Sequence, residues 1–210
     1  MARLTNGPLG QLSGKVGGVV VCKWKDVEYI RSLPKIKKNR KPSPAQLAAR
    51  ARFNFLNTWL KSFAPLVSLG FKDYSGRMTG MQAAFSCNSK AVKGVYPDFE
   101  LDFPSIMISY GDLPGASGAK VIAANDCILE FSWDTKSQAK ANDDDQVMLL
   151  AYIPEKKNAF WICSGANRYK GNETLKVNFQ GTTAETYMAF ISNDRKKISN
   201  SQYLGQVTVL

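Results

Sequence analysis

Short β-prone runs recur through the second half of this chain, and their spacing constrains the fold more than any other feature. They are SIMISYG (105–111), KVIAA (120–124), CILEFSWD (127–134), QVMLLAYIP (146–154), AFWICSGANRY (159–169), TLKVNF (174–179), ETYMAFIS (185–192) and YLGQVTVL (203–210). Turn-forming residues separate them, and each has the length of a strand rather than a helix. Alternation is clear in Leu129/Phe131/Trp133 and in Tyr187/Ala189/Ile191, as expected when a strand buries one face. Many short strands at this spacing predict an antiparallel β-sandwich. Trp133, on an early strand, matches the buried tryptophan of immunoglobulin-like domains. No Cys pair stands where their inter-sheet disulfide would be, which places the pattern nearer to fibronectin type III domains.

The first half reads differently. VVVCKW (19–24) and VEYIRSL (27–33) predict a hairpin, preceded by glycine-punctuated turns around Asn6-Gly7-Pro8, Gly10 and Gly14 to Gly18. Ser43, Pro44 and Gln46 form a helix-start pattern. A helix is expected from Pro44 to Phe63, with Leu47, Ala51, Phe55, Leu56, Trp59, Leu60 and Phe63 as an apolar stripe. Residues 64–74 (APLVSLGFKDY) are expected to break it, and a second helix to run from Gly80 to Lys90. VYPDFELDFPS (95–105), with two prolines, reads as a linker. The expected fold class is therefore α+β. Residues 1–100 form a basic β-hairpin and helical region, and residues 101–210 an immunoglobulin-like sandwich.

Charge follows the same division. Residues 1–100 carry 17 Lys and Arg against 5 Asp and Glu, and residues 101–210 carry 11 against 12. The whole net charge of +11 thus belongs to the first half, where a polyanion or an acidic surface would dock. From Arg31 to Arg52 eight cations run without an intervening carboxylate: Arg31, Lys35, Lys37, Lys38, Arg40, Lys41, Arg50 and Arg52. They are the candidate contacts for a polyanion or a partner. Trp24 and Tyr29 lie just upstream and offer stacking surfaces for bases. A solvated linker, or a segment docked on a neighbouring subunit, explains the same run.

Catalytic chemistry finds little support. There are no histidines, so the commonest general base and metal ligand are missing. G-x-S-x-G is absent, and no spacing marks a nucleophile with its base. Gly14-Lys15 sits among glycines, but Val16 follows where a phosphate-binding loop needs Ser or Thr and then a helix. Asp143-Asp144-Asp145 lacks the alternating ligands, central glycine and closing glutamate of a calcium loop, so a solvated turn is expected there. Cys22, Cys87, Cys127 and Cys163 are far apart and read as buried free thiols. No cofactor and no metal are implied. The start has no apolar core of signal-peptide length, and the pure apolar run Val19 to Cys22 is far too short to cross a bilayer. A cytoplasmic protein without membrane insertion is expected, with release or non-classical export as the exception.

Several motifs occur together. Gly10-Gln11-Leu12-Ser13-Gly14-Lys15-Val16-Gly17-Gly18-Val19-Val20 is followed by Ile30 to Lys35 and then by Pro44 to Phe53. The second half adds Trp133-Asp134, the Asp run before residues 146 and 147, and Ser199-Asn200-Ser201 with Tyr203. In combination they resemble a family of Bacteroidota proteins defined as a domain of unknown function, over nearly the whole chain. The resemblance implies a bacterial setting and a two-part layout, and assigns no role to any residue.

A structural or interaction function is expected, not an enzyme. A sandwich leaves edge strands that pair with other chains. The glycine-rich N-terminal strand could dock on a neighbour, and the Asp143–Asp145 stretch offers a landing place for a basic arm. The expected partners are further copies of the chain, as a homo-oligomer or filament, or other subunits of a larger particle, including a phage-derived one. The alternative is nucleic-acid binding through residues 31–52.

Overall fold

The computed structural model describes residues 3–4, 12–24, 27–33, 41–74, 76–136 and 139–210. The chain divides into two compact units, Met1–Ser43 and Pro44–Leu210. The boundary expected near residue 100 therefore falls inside the second unit.

The first unit is one antiparallel sheet in sequence order: β1 (Arg3–Leu4), β2 (Leu12–Val16), β3 (Val19–Trp24) and β4 (Val27–Ser32). Val16 pairs with Val19 across a two-residue turn of Gly17 and Gly18. Gly17 has φ +55°, a conformation that tight hairpin turns require and glycine adopts without strain. The expected hairpin is β3–β4, closed by Trp24 opposite Val27.

The second unit opens with three helices. The first, α1 (Pro44–Lys61), buries Leu56, Trp59 and Leu60, the i, i+3, i+4 stripe of an amphipathic helix. Where a break was expected, α2 (Ala64–Gly70) follows at once and buries Leu66 and Val67. Pro65 lies in its first turn, a position where a missing N–H costs nothing. Thr79 caps α3 (Gly80–Asn88) in a capping box with Gln82. The expected linker is largely a hairpin, β5 (Val92–Val95) and β6 (Asp98–Leu101), with Pro97 in its turn.

Residues 105–111 do not form a regular strand. They run as an extended bridge: Tyr110 N–H donates to the Gly70 carbonyl, Ser109 exchanges bonds with Ser199 and Ser201, and Met107 is held through both backbone groups by the Asn88 amide at 2.8 Å. Seven strands follow: β7 (Lys120–Ala124), β8 (Ile128–Ser132), β9 (Gln146–Ile153), β10 (Asn158–Ile162), β11 (Asn172–Lys176), β12 (Thr183–Ile191) and β13 (Gln202–Thr208). They make a three-stranded sheet, β11-β8-β7, and a four-stranded sheet, β10-β9-β12-β13, both antiparallel.

The four-stranded sheet is a middle layer. Met148, Leu150, Tyr152, Tyr187, Ala189 and Ile191 pack with the helices. Their alternating neighbours Val147, Leu149, Ala151, Ile153, Met188 and Phe190 pack with Leu129, Phe131 and Trp133 of the small sheet and its flank. Burial on both faces explains the unbroken apolar runs of β9 and β12.

One ion pair is buried in this unit. Arg168 Nε lies 3.4 Å from Asp145 Oδ2, and the guanidinium donates to the Pro114 and Gly115 carbonyls and sits 3.7 Å above the Phe190 ring. Trp133 Nε1 donates to the Arg168 carbonyl at 2.8 Å. Burial pushes the Asp145 carboxyl upward against the pull of the Asn142 N–H and Arg168. All four cysteines are free, and each is partly rather than fully buried. No helix among the described residues is long and apolar enough to cross a membrane.

Candidate functional site

The N-terminal sheet has an unusual surface. Strand alternation and the β3–β4 register put Val20, Cys22, Trp24, Val27, Tyr29 and Arg31 on one face, with Lys15 of β2 beside Val20. Val16, Val19, Val21 and Ile30 lie on the other, with the Lys23–Glu28 ion pair. Both faces are therefore largely apolar. Yet from Ser13 onward none of the unit's described residues is buried, and Ile30 and Val27 are 67% and 54% exposed. A sheet normally hides at least one face. Covering a side chain of this kind is worth about 1.5–3 kcal/mol.

The eight basic candidates are not gathered into one cluster. Arg31 is exposed on β4 and Lys41 is exposed near the end of the same unit; Arg50 is exposed on α1 in the other unit. Arg52 has an internal duty, since its guanidinium donates to the Ser89 and Val92 carbonyls at 3.0 and 2.9 Å and ties α1 to the start of β5. Lys35, Lys37, Lys38 and Arg40 lie outside the described residues. Of the aspartate run, Asp143 and Asp144 are exposed, but Asp145 is fully buried against Arg168. The complete triplet is therefore not a surface on which an arm could land.

A second feature was not foreseen. The second unit carries a groove of about 670 Å³ between α1, the β6 hairpin and the end of β9. Phe55, Trp59, Phe99, Phe103 and Tyr152 line it. Trp59 meets Tyr152 edge to face at 5.6 Å, and Phe103 meets Tyr152 at 6.0 Å. Trp59 Nε1 is buried without an acceptor. Burial raises the pKa of the Tyr152 hydroxyl, and no hydrogen bond is made to it by the described residues. Glu100 and Lys157, one of each sign, stand at the rim. The groove draws on three separated stretches of sequence, and the aromatic stripe of α1, read as core, was its only linear trace.

No curated protein matches the chain. Nine solved chains do. One is the fn3 domain of the human collagen alpha-1(XX) chain, 13% identical, with a TM-score of 0.35, the match covering 47% of this chain and 88% of that one. A family model matches residues 11–205, so the chain belongs to the family of unknown function DUF6266.

Proposed function

We propose that the chain is a non-enzymatic structural or interaction protein that assembles through its N-terminal sheet, with further copies of itself or with other subunits of a larger particle. The observation behind this reading is the sheet with apolar side chains on both faces and no buried residue among those described from Ser13 onward. Such a layer gains most of its stability when another surface covers it. The second unit is then the rigid body that the sheet recruits. Its three-against-four strand order, with the first, second and fifth strands facing the other four, favours a fibronectin-type sandwich as the module.

Light scattering on nuclease-treated protein tests the reading. Assemblies larger than the 23.2 kDa chain are expected, and Ile30→Lys should dissolve them. Because Ile30 is exposed in the single chain, the substitution should leave the melting of that chain within about 0.5 kcal/mol. A parent protein that stays monomeric at high concentration, or assemblies indifferent to Ile30→Lys, would sink the idea.

The alternative is nucleic-acid binding, favoured by one arrangement. Lys15, Trp24, Tyr29 and Arg31 share a face of the sheet, which combines cations with stacking surfaces. It requires an affinity that falls steeply with salt and weakens when Arg31 and Lys41 become Gln.

A further inference from the structure

The N-terminal sheet ends on an open edge. Its strand order puts β4 last, and no described strand lies beyond it. All six residues of β4 are exposed. Leu33 N–H donates to the Gly18 carbonyl, which sets the phase of the ladder, because antiparallel neighbours exchange bonds at every second residue. Tyr29 and Arg31 therefore bond to β3, opposite Cys22 and Val20. Glu28, Ile30 and Ser32 turn their N–H and C=O groups outward. Proteins usually blunt such an edge with proline, lysine or a bulge. The strand VEYIRS has neither residue, and its pairing with β3 runs without a register shift.

We propose that β4 pairs antiparallel with β4 of a second copy about a two-fold axis at Ile30, joining two sheets into one. This rests on the assembly reading above and names its contact. A two-fold axis normal to the sheet keeps each face on its own side and makes every contact reciprocal. One register then uses all three outward residues: Ile30 opposite Ile30, and Glu28 opposite Ser32 in both directions. It forms about six hydrogen bonds. On the other face it sets the Arg31 guanidinium beside the Tyr29 ring of the second copy, a favourable cation–π pairing. A shift of two residues one way puts Arg31 opposite Arg31, which repels, and leaves Glu28 unpaired. The opposite shift carries Ser32 past the end of the strand. Glu28 and Arg31 are the only charges on β4, so the two edges meet without net charge although the first half of the chain is basic.

Sedimentation of the nuclease-treated full chain tests this. Ile30→Pro removes the central outward N–H, which the β3 ladder does not use, and keeps an apolar side chain. It should raise the dimer dissociation constant at least about tenfold. Mild oxidation reads the register independently of that variant. Ile30→Cys should give a disulfide-linked dimer beyond the parent level, since directly opposite Cα atoms lie about 5.5 Å apart. Glu28→Cys, on the same face but roughly 14 Å from its own copy, should stay at the parent level. The proposal is overturned if Ile30→Cys crosslinks no more than the parent, or if Glu28→Cys crosslinks as readily. Assemblies that survive Ile30→Pro but dissolve with Ile30→Lys overturn it too, and leave the assembly reading standing through the sheet faces. A parent that stays monomeric overturns both.

Discussion

Replacing Arg168 by Met removes the charge that faces Asp145 and keeps an unbranched side chain in its place. Asp145 has no exposed surface, its Oδ1 has no partner, and its Oδ2 would retain only the Asn142 N–H. Breaking a buried pair from one side costs about 3–5 kcal/mol, because the remaining charge is stranded. The Pro114 and Gly115 carbonyls lose charged donors as well. These losses overlap, so a total of about 4–5 kcal/mol is expected. That corresponds to a melting temperature lower by about 8–20 °C for a protein of this size. The deficit should depend on pH. Burial already raises the Asp145 carboxyl with the guanidinium present, and without it the rise is larger. A carboxyl whose folded value is raised contributes stability below its unfolded value of about 3.9 and loses it as pH rises through the folded value. The variant should therefore approach the parent in mild acid and fall furthest behind at neutral pH and above. Urea melts followed by circular dichroism at about pH 4.5 and pH 7.5 measure both quantities, and Asp145→Asn added to Arg168→Met should recover part of the loss. A cost below about 1 kcal/mol, or an equal deficit at both pH values, would refute the stranded-charge argument.

Two further outcomes follow from local geometry. A Cβ at Gly70 would lie 2.3 Å from the Ile108 carbonyl oxygen, where the extended bridge crosses α2, so Gly70→Ala should cost about 1–3 kcal/mol in a urea melt; a neutral result would mean that the bridge moves freely. The Tyr203 hydroxyl donates to Glu185 at 2.5 Å, and its pKa is pushed up to about 12 by burial and by that carboxylate. Its share of stability is intact below the unfolded value of about 10 and is lost as pH rises from there through the folded value. Tyr203→Phe should therefore lose less stability than the parent over that alkaline interval, and identical alkaline melts would contradict this.

Much of the fold was legible because single patterns carried it. Leu56, Trp59, Leu60 and Phe63 announced α1, and the short runs at 120–124, 127–134, 146–154 and 185–192 contain β7, β8, β9 and most of β12. The errors arose where one residue type supports two outcomes. Residues 64–74 read as a break, yet Pro65 falls in the first turn of α2, where proline is tolerated. Pro97 was read as linker punctuation, and it serves a hairpin turn. The boundary expected near residue 100 came from reading 95–105 as a linker, whereas the compact units divide after Ser43; burial of Met188 and Phe190 on the face opposite Tyr187, Ala189 and Ile191 ties the helices and the small sheet to one sheet, and the unbroken run from Val147 to Ile153 was the available warning. Candidate sites were less legible. A count of cations cannot distinguish Arg52, which holds two backbone carbonyls, from Arg50, which is exposed. Nor does linear order show that Phe55, Phe99 and Tyr152 meet at one groove.

The shared middle sheet has a thermodynamic consequence. Because β9 and β12 form a wall of both apolar cores, neither the helices nor the small sheet can melt without exposing a face of the same two strands. Residues 44–210 should therefore lose structure in one cooperative transition, with calorimetric and van't Hoff enthalpies in agreement. The strand that carries Tyr152 toward the groove carries Ala151 and Ile153 into the opposite core. A molecule held in the groove would thus raise the melting point of the small sheet it never touches.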